Sequence, residues 1–305
     1  MQAIVLSAYG DPSQLQLQER PEPEPGAGQL KVKVLSTSVN PVDYKLRSGA
    51  LKQSMPLELP AVLGRDAAGE VVKVGAGVRG FAEGDRVFGL VNGGYAQYVV
   101  AATEAWAKIP EGLGTDAGAL PLISLTGDQL AEATLRGRSA AGLTVLVTGA
   151  VGAVGRVAVW GIRRRGARVI AGVRQKQVSE AKDLGVEDVI ALDEPADCAR
   201  MPMIDAIADT IGGETTQRLL SRVRAGGSIG SVVGEPKGAK ERGLTVTAFL
   251  AHPDSARLEA VARAVAAGEL AIPVAKRFPL QEAAAAHQLA ERGGIGKLLL
   301  LPFGG

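Results

Sequence analysis

The stretch LTVLVTGAVGAVGRVAVWG, Leu143 to Gly161, lies near the middle of a chain of 305 residues. It opens with a run of β-branched and apolar residues typical of a buried strand, and it ends in an apolar segment typical of a helix. A cluster of glycines, Gly149, Gly152 and Gly155, separates the two halves. Strand, glycine turn and helix in this order form the context in which such a turn binds the pyrophosphate of a dinucleotide.

The physical reason for the glycines is steric. Against the pattern G-x-G-x-x-G, alanine occupies the first position and Gly149 stands just before it. Gly152 lets the backbone approach a pyrophosphate, Gly155 lets the helix pack close to the strand, and the helix start offers free N–H groups to the phosphates. A tight turn without a ligand is the alternative. The candidate cofactor-binding residues of the turn are Gly149, Ala150, Gly152, Ala153, Val154 and Gly155.

The sequence on either side predicts the fold class. The first 110 residues contain short strand-like runs punctuated by Gly and Pro, which indicates a β-rich region. From about residue 116, strands and helices alternate, and this is typical of an α/β domain with a doubly wound parallel sheet. The segments 116–135 and 214–227 are predicted as helices. We therefore predict a catalytic domain from 1–117 and 251–305, with a dinucleotide-binding domain inserted at 118–250.

Composition narrows the possible partners. Hydrophobic residues make up 46% of the chain, and the formal net charge is only +2 with both signs interspersed. This balance does not predict binding to nucleic acid or to a membrane surface. No signal peptide is visible, and Cys198 is the only cysteine. A reducing cytoplasm is therefore the expected location.

The end of the second strand of the inserted domain indicates which dinucleotide binds. An acidic residue there would bind the ribose 2′-hydroxyl of NAD, but this region carries Arg174 and Lys176. Two cations suit a 2′-phosphate, so we expect NADPH. The alternative is a solvated basic loop.

Several further stretches resemble one known family. They are SVNPVDYKLRSG, PAVLGRDAAGEVVKVGAGV, FAEGDRVFGLVNGGYAQYVV, IDAIADTIGGET and PLQEAAAAHQLAERGGIGKLLL, together with the glycine turn. They resemble the medium-chain dehydrogenase/reductase superfamily, in its zinc-independent, zeta-crystallin-like quinone oxidoreductase and alkenal/enone oxidoreductase branch. The resemblance implies a GroES-like catalytic domain plus a Rossmann domain, with the cofactor in the cleft, and a homodimer that pairs through the Rossmann sheet edge.

The sequence has too few suitable Cys and His residues to predict a catalytic zinc site. Zinc-dependent members of the superfamily need a Cys/His/Cys-type ligand set, and Cys198 is far from the catalytic-domain motifs. Gly64-Arg65-Asp66 stands where a zinc alcohol dehydrogenase would have Gly-His-Glu. The only histidines, His252 and His287, lie in the last sixth of the chain, and we expect His287 to be a packing or surface residue.

Without zinc, the expected substrates are conjugated. Reduction of a simple ketone develops an alkoxide, which a Lewis acid stabilises strongly. Hydride addition to an enone or a quinone instead gives a delocalised anion, for which a few hydrogen-bond donors suffice. We therefore expect quinones or α,β-unsaturated carbonyl compounds as small-molecule substrates.

The candidate catalytic residues follow a predicted strand. The pattern Asn-Pro-Val-Asp-x-Lys resembles plant alkenal and enone oxidoreductases, and by that resemblance Asn40 and Lys45 would face the nicotinamide and the substrate. Lys45 is the predicted oxyanion stabiliser or proton donor, and Asp43 would orient it or the nicotinamide ribose. Zeta-crystallin-type enzymes carry a tyrosine where Lys45 stands; Tyr44 precedes the lysine and is kept as a candidate without that role. Turn capping by Asn40, helix capping by Asp43 and a solvated Lys45 are the alternatives.

The remaining cofactor candidates come from the resemblance. Thr126 would lie near the nicotinamide at a helix start, the backbone of Val233 and Gly234 would meet the nicotinamide amide, and Phe249 would line the cleft. A helix cap and a core phenylalanine are the alternatives for Thr126 and Phe249. Asn92 would edge the substrate pocket, whose shape depends on loops near 50–58, 90–95 and 236–250. The alternative for the whole protein is a non-catalytic, crystallin-like protein that binds NADPH.

Overall fold

The computed structural model describes residues 1–304. Contacts divide the chain into two compact units, one of residues Met1–Leu122 with Pro253–Gly305 and one of residues Ile123–His252. The sequence places the corresponding borders after residues 117 and 250. The first of these units is the flanking unit, and the second is the inserted unit.

The N-terminal part of the flanking unit is made mostly of strands, joined by Gly- and Pro-containing turns. One short helix interrupts them where Pro41 opens the first turn, a position that suits a residue without an N–H group. The elements are β1 (Gln2–Leu6), β2 (Leu15–Glu19), β3 (Gln29–Val39), α1 (Pro41–Arg47), β4 (Ala61–Val62), β5 (Asp66–Val74), β6 (Arg86–Leu90), β7 (Tyr98–Ala102) and β8 (Trp106–Lys108).

Strands and helices alternate through the inserted unit. The elements are α2 (Pro121–Leu135), β9 (Thr144–Thr148), α3 (Ala153–Arg164), β10 (Arg168–Val173), α4 (Val178–Lys182), β11 (Asp188–Ala191), α5 (Pro195–Arg200), β12 (Ile204–Asp209), α6 (Gly213–Leu219), β13 (Val223–Ser231) and β14 (Thr245–Ala248). The C-terminal part returns to the flanking unit with α7 (Ser255–Ala266), β15 (Val274–Pro279), α8 (Ala283–Glu291) and β16 (Lys297–Leu301). None of the helices described in residues 1–304 has the length and apolar character needed to span a bilayer.

The inserted unit contains one fully parallel sheet of six strands, in the order β11-β10-β9-β12-β13-β14. All five residues of the central strand β9 are buried, as expected when helices cover both faces. Successive side chains point to opposite faces, so Val145 and Val147 pack with α2 and α3, while Leu146 packs in a second core on the other face. This sheet confirms the predicted doubly wound α/β fold.

The flanking unit contains two sheets. The larger has seven strands, ordered β15-β16-β3-β5-β6-β8 with β7 also paired to β3. The smaller is β2-β1-β4. Strand β16 pairs antiparallel with the end of β3, Leu299 opposite Ser38. This pairing brings the C-terminal strand beside the residues that precede α1.

The predicted helix 214–227 is wrong in its second half. Helix α6 ends at Leu219, a 3-10 turn covers Leu220–Arg222, and β13 starts at Val223. Gly226 has φ +72°, a left-handed conformation that interrupts a helix. Pairing of β13 with β12 therefore outweighs the helical pattern of the sequence. The predicted helix 116–135 is also shortened, because Gly114–Ala119 forms a 3-10 turn before α2 begins.

The close packing predicted for Gly155 is present. A Cβ on Gly155 would lie 2.1 Å from the carbonyl oxygen of Gly149 and 2.9 Å from Ala150 Cα. Both neighbours are backbone atoms of the turn, so they cannot rotate away. At Gly152 an added Cβ would meet only Gly149 O, at 3.1 Å.

We predict that Gly155→Ala lowers stability far more than Gly152→Ala. The first substitution forces the start of α3 away from the turn, with an expected cost of about 2 kcal/mol or more, whereas the second costs below about 1 kcal/mol. Thermal and urea unfolding of the two variants and the wild type would measure the difference. Equal stability of the two variants would contradict the packing argument.

Candidate functional site

The glycine turn lies at the carboxyl end of β9, in the middle of the parallel sheet. Gly149 adopts φ +66°, and its N–H donates to Gly172 O at 2.8 Å, which fixes the turn against β10. Gly152 is the N-cap of α3 and has extended backbone angles. The N–H groups of the first turn of a helix have no acceptor within the helix. The turn therefore presents N–H donors and the positive end of a twelve-residue helix.

A buried carboxylate next to the turn holds the neighbouring strand ends together. Asp209, at the end of β12, accepts hydrogen bonds from Thr148 Oγ1 at 2.8 Å and Thr216 Oγ1 at 2.7 Å. It also accepts from the backbone N–H of Gly212 at 3.0 Å. Asp209 is not among the site residues predicted from the sequence. It fixes the loop that leads into α6, beside the glycine turn.

The two predicted cations of the 2′-phosphate site stand directly after β10. Arg174 and Lys176 are both exposed. Arg174 Nε donates to Gln177 Oε1 at 3.3 Å, and neither cation forms an ion pair with a carboxylate among residues 1–304. The nearby Asp193 accepts from the Gln175 N–H at 2.7 Å. The loop thus holds two positive charges that are available to an anion.

The other cofactor candidates have mixed positions within the inserted unit. Thr126 is the sixth residue of α2, so both its predicted place at the helix start and the alternative of a cap are wrong. Val233 is 41% exposed, and Gly234 has φ +99° with open space around its Cα. Phe249 is partly buried against the core between the sheet and α3, which fits its alternative as a packing residue. Their contacts with a cofactor stay predictions.

In the flanking unit, Asp66 is the centre of a buried polar cluster. Its side chain is fully buried at the start of β5. One carboxylate oxygen accepts from the Leu122 N–H at 2.7 Å. The other accepts from Ser38 Oγ and from Asn40 Nδ2, the latter at 2.7 Å.

Lys297 completes the cluster from β16. Its Nζ donates to Asn40 Oδ1 at 2.7 Å and lies 3.7 Å from Asp66 Oδ2. Burial lowers the pKa of Lys297, against the attraction of Asp66 and Asp43. The Asn40 amide therefore uses its oxygen and its nitrogen to bridge a buried cation and a buried anion.

Asp43, three residues after Asn40, has a different environment. It is fully buried in α1 and its Oδ2 accepts from the Asn40 N–H at 2.8 Å, which caps the helix. Burial raises the pKa of Asp43 to about 7, with the Asp66 charge adding to the shift and the Asn40 hydrogen bond opposing it. The predicted capping alternative for Asp43 is therefore present, together with a proton affinity unusual for a carboxyl group.

Lys45 and Tyr44 occupy other faces of α1. Lys45 is exposed, and its ammonium has no partner among residues 1–304. Tyr44 is half-buried, and burial, with the nearby Glu291, raises the pKa of its hydroxyl. The structure thus separates the four candidates into two buried polar residues, Asn40 and Asp43, and two accessible ones, and their catalytic roles stay predictions.

His287, expected as a packing or surface histidine, is a fully buried residue of α8. Its Nε2 lies 3.1 Å from the Tyr95 hydroxyl, and the two rings meet edge to face with centroids 5.6 Å apart. Burial lowers the pKa of His287 to about 3, with a smaller contribution from Arg47. The ring is therefore neutral near pH 7.

A cavity of about 350 Å³ lies in the flanking unit. Two of its lining residues are neighbours of the polar cluster in the sequence, because Arg65 precedes Asp66 and Leu46 follows Asp43 by less than one helical turn. Asn92, which the sequence predicts at the edge of the substrate pocket, lies on the cavity wall. The lining residues are Leu46, Met55, Pro56, Leu57, Val62, Leu63, Gly64, Arg65, Asn92 and Gly93.

The side chains do not fit a catalytic zinc ion. No group of three or more His, Cys, Asp or Glu residues in the part of the chain that the structure describes is arranged to hold a metal. The Nε2 atom of His287 is paired with Tyr95, and the Cys198 thiol, whose pKa is raised by burial, packs against backbone carbonyls in the inserted unit. A metal-independent reaction stays a prediction from the ligand count of the sequence.

The chain is similar in sequence to known dehydrogenase and reductase families. Residues 26–111 match the alcohol dehydrogenase GroES-like domain, and residues 184–300 match the family described as zinc-binding dehydrogenase. A 2-haloacrylate reductase of Burkholderia sp is 31% identical over 99% of both chains. The chain belongs to the quinone oxidoreductase branch of the medium-chain dehydrogenase/reductase superfamily. The predicted GroES-like and Rossmann combination is thereby confirmed.

Solved structures of this branch have the same fold. The quinone oxidoreductase from Coxiella burnetii superposes with a TM-score of 0.88 at 29% identity over 99% of both chains. The Escherichia coli quinone oxidoreductase complexed with NADPH gives 0.85 at 26% identity, covering 99% of this chain and all of that one.

Two chloroplast relatives match over only part of their length. The envelope quinone oxidoreductase homologue of Arabidopsis thaliana is 34% identical over 55% of this chain, which corresponds to 54% of the relative. The quinone-oxidoreductase homologue of Spinacia oleracea is 32% identical over 64% of this chain and 62% of the relative.

The buried titratable groups predict opposite pH dependences of stability. Between pH 6.5 and about 3 the unfolded chain protonates His287 while the folded chain does not, so stability falls as the pH falls, by up to about 1.4 kcal/mol per pH unit. Between pH 3.8 and about 7 the unfolded chain ionises Asp43 while the folded chain keeps it protonated. The free energy of unfolding therefore falls as the pH rises through this range.

Unfolding of His287→Gln and Asp43→Asn, measured from pH 3 to pH 8 beside the wild type, tests both signs. The wild type should lose stability relative to His287→Gln toward low pH, and relative to Asp43→Asn toward pH 7. Stability curves of the variants that run parallel to the wild-type curve would show that the two groups titrate normally.

Proposed function

We propose that this protein is an NADPH-dependent reductase of quinones or α,β-unsaturated carbonyl compounds. The observation that carries the proposal is the glycine turn at the carboxyl end of β9, with the start of α3 directly behind it. In open parallel sheets, ligands bind outside the carboxyl ends of the strands. When bound, NADPH supplies a hydride equivalent to an electron-poor carbon.

Residues of the inserted unit would hold the cofactor. The turn residues Gly149, Ala150 and Gly152, with the N–H groups of Ala153, Val154 and Gly155, suit the pyrophosphate, because the glycines have no side chain and Ala150 has only a methyl group. Val233 and Gly234 would meet the nicotinamide amide, and Thr126 and Phe249 would complete the nicotinamide end. The open space at Gly234 and the exposure of Val233 support this assignment.

The charge after β10 supports NADPH over NADH. Arg174 and Lys176 are exposed cations without carboxylate partners within residues 1–304. A 2′-phosphate carries the negative charge that such a pair binds, and the guanidinium can donate two hydrogen bonds to it.

The acceptor side of the reaction would use α1. Lys45 would stabilise the negative charge that develops on the acceptor oxygen, or donate the proton that completes the reduction. Asn40 and Asp43 would position the helix that carries Lys45, because both are fixed in the buried cluster. The half-buried Tyr44 is a second candidate donor on the same helix.

The names of relatives support the acceptor class. Relatives of this chain include proteins named quinone oxidoreductase and a 2-haloacrylate reductase, each acting on an electron-poor conjugated system. We further propose a homodimer that pairs through β14, an edge strand bonded only to β13 in the described structure. The cytoplasm stays the expected location.

We predict that the protein oxidises NADPH in the presence of benzoquinones, naphthoquinones, enals or enones. In this assay Lys45→Met should lower kcat by about tenfold or more with NADPH affinity intact, because the developing oxyanion loses its cation. Lys182→Met, which removes an exposed lysine in α4, serves as the control. Tight NADPH binding without turnover of any acceptor would indicate a non-catalytic binding protein, and unchanged turnover in Lys45→Met would remove the role of Lys45.

We also predict that the double variant Arg174→Ala/Lys176→Ala loses cofactor selectivity. Its KM for NADPH should rise about tenfold or more while its KM for NADH changes little, since only NADPH carries the 2′-phosphate. Lys182→Ala in α4 removes a nearby exposed charge and should leave both values unchanged. Equal kinetics of the wild type with NADH and NADPH would contradict the assignment.

A further inference from the structure

The cavity in the flanking unit has a mostly apolar lining. Its wall is formed by aliphatic and thioether side chains, among them Leu46, Met55, Leu57 and Val62. Arg65 and Asn92 stand on the same wall. A volume of about 350 Å³ is within the range of small-molecule pockets, in which a few polar groups fix the orientation of the ligand.

Arg65 is held in place by its backbone. The Val91 N–H donates to Arg65 O at 2.9 Å. On the preceding residue, Gly64 has φ +100°, and an added Cβ would lie 2.5 Å from the Tyr95 ring and 2.7 Å from Tyr95 N. Only glycine fits there. The turn that presents Arg65 to the cavity is thus fixed by packing against Tyr95.

The guanidinium is only partly satisfied. Arg65 is half-buried, and its Nη1 donates to Asn92 Oδ1. Arg65 forms no ion pair with a carboxylate among residues 1–304. The adjacent carboxylate, Asp66, is occupied by Ser38, Asn40 and the Leu122 N–H. Several N–H donors and a full positive charge therefore remain at the edge of an apolar cavity.

A cation that lines a mostly apolar cavity and has no carboxylate partner in the described part of the chain is available to an anionic ligand. A planar guanidinium fits a carboxylate with two parallel hydrogen bonds. We propose that Arg65 selects acceptors that carry an anionic group, most simply a carboxylate, with the apolar remainder of the molecule in the cavity. This inference rests on the proposed reductase function and names the substrate class within it.

The acceptor in this proposal is an enone that carries a carboxylate. A hydride adds to the carbon β to the ketone, the carbon–carbon π bond breaks, and its electron pair moves toward the ketone oxygen. A proton then adds at the α-carbon, NADPH is oxidised to NADP⁺, and the carboxylate is unchanged. Arg65 contributes binding and orientation and takes no part in the proton or hydride transfer.

A matched pair of acceptors tests the proposal: 4-oxopent-2-enoate and its methyl ester. They share one conjugated ketone and differ in charge. The measured quantity is the ratio of kcat/KM for the acid to that for the ester, which we expect Arg65→Gln to lower about tenfold or more, mainly through the acid. Arg65→Lys should recover part of the ratio.

Two further variants separate anion binding from bracing of the cavity edge by the Arg65–Asn92 contact. Asn92→Asp places a carboxylate on the guanidinium and should reproduce the loss seen in Arg65→Gln. Asn92→Ala removes the contact but leaves the charge free, and should keep the ratio. The same loss in Asn92→Ala as in Arg65→Gln would assign Arg65 a bracing role and overturn the proposal. Arg79→Gln, which removes an exposed arginine between β5 and β6, is the charge control and should keep the ratio.

A binding measurement makes the result independent of turnover. Calorimetric titration with 4-oxopentanoate, the saturated acid, should show binding to the wild type that weakens about tenfold or more in Arg65→Gln and Asn92→Asp. Equal binding to all variants would overturn the role of Arg65 even if the wild type reduces neutral quinones. Binding of the acid without oxidation of NADPH by any acceptor would instead retain the anion site and reject the proposed reductase.

Discussion

The flanking unit depends on one buried carboxylate. Asp66 is out of contact with water, so it is tolerated only where hydrogen bonds and a cation replace its hydration. Those groups come from the end of β3, from the start of α1, from the Leu122 backbone and from β16. All four segments must be in place at the same time. The carboxylate therefore links residue 38 to residue 297, and it fixes the helix that carries Lys45.

The inserted unit also contains a buried carboxylate, which lies beside the glycine turn. The buried Asp209 accepts hydrogen bonds from the Thr148 hydroxyl at the end of β9, and from the Gly212 N–H and the Thr216 hydroxyl at the start of α6. The glycine turn beside it does the reverse, because its N–H groups at the start of α3 stay without internal partners. Buried anchors and free donors thus lie next to each other. Rigid anchors allow the donors to keep their arrangement before a ligand is present.

Cations with a partner in the chain serve the fold, whereas cations without a carboxylate partner are candidates for ligand binding. Lys297 is buried, bonded to Asn40 and near Asp66, so it serves the fold. Arg65, one residue before Asp66, keeps its charge at the wall of a cavity, and Arg174 and Lys176 keep theirs after β10. An unpaired cation contributes little to stability. Such a cation can instead bind an anionic ligand when it is exposed or lines a cavity.

The sequence by itself determined what depends on short-range pattern. Apolar runs with period two or 3.6 predicted the parallel sheet and its helices, and the spacing of Gly149, Gly152 and Gly155 predicted a tight turn with close packing at Gly155. The pattern failed at 220–227, where pairing of β13 with β12 decides the structure, and at Thr126, which lies inside α2. Tertiary structure alone decided the partners of Asp66, the burial of His287 and the unpaired state of Arg65. Each depends on contacts between residues far apart in the chain, and burial, which sets the cost of a charge, cannot be read from local spacing.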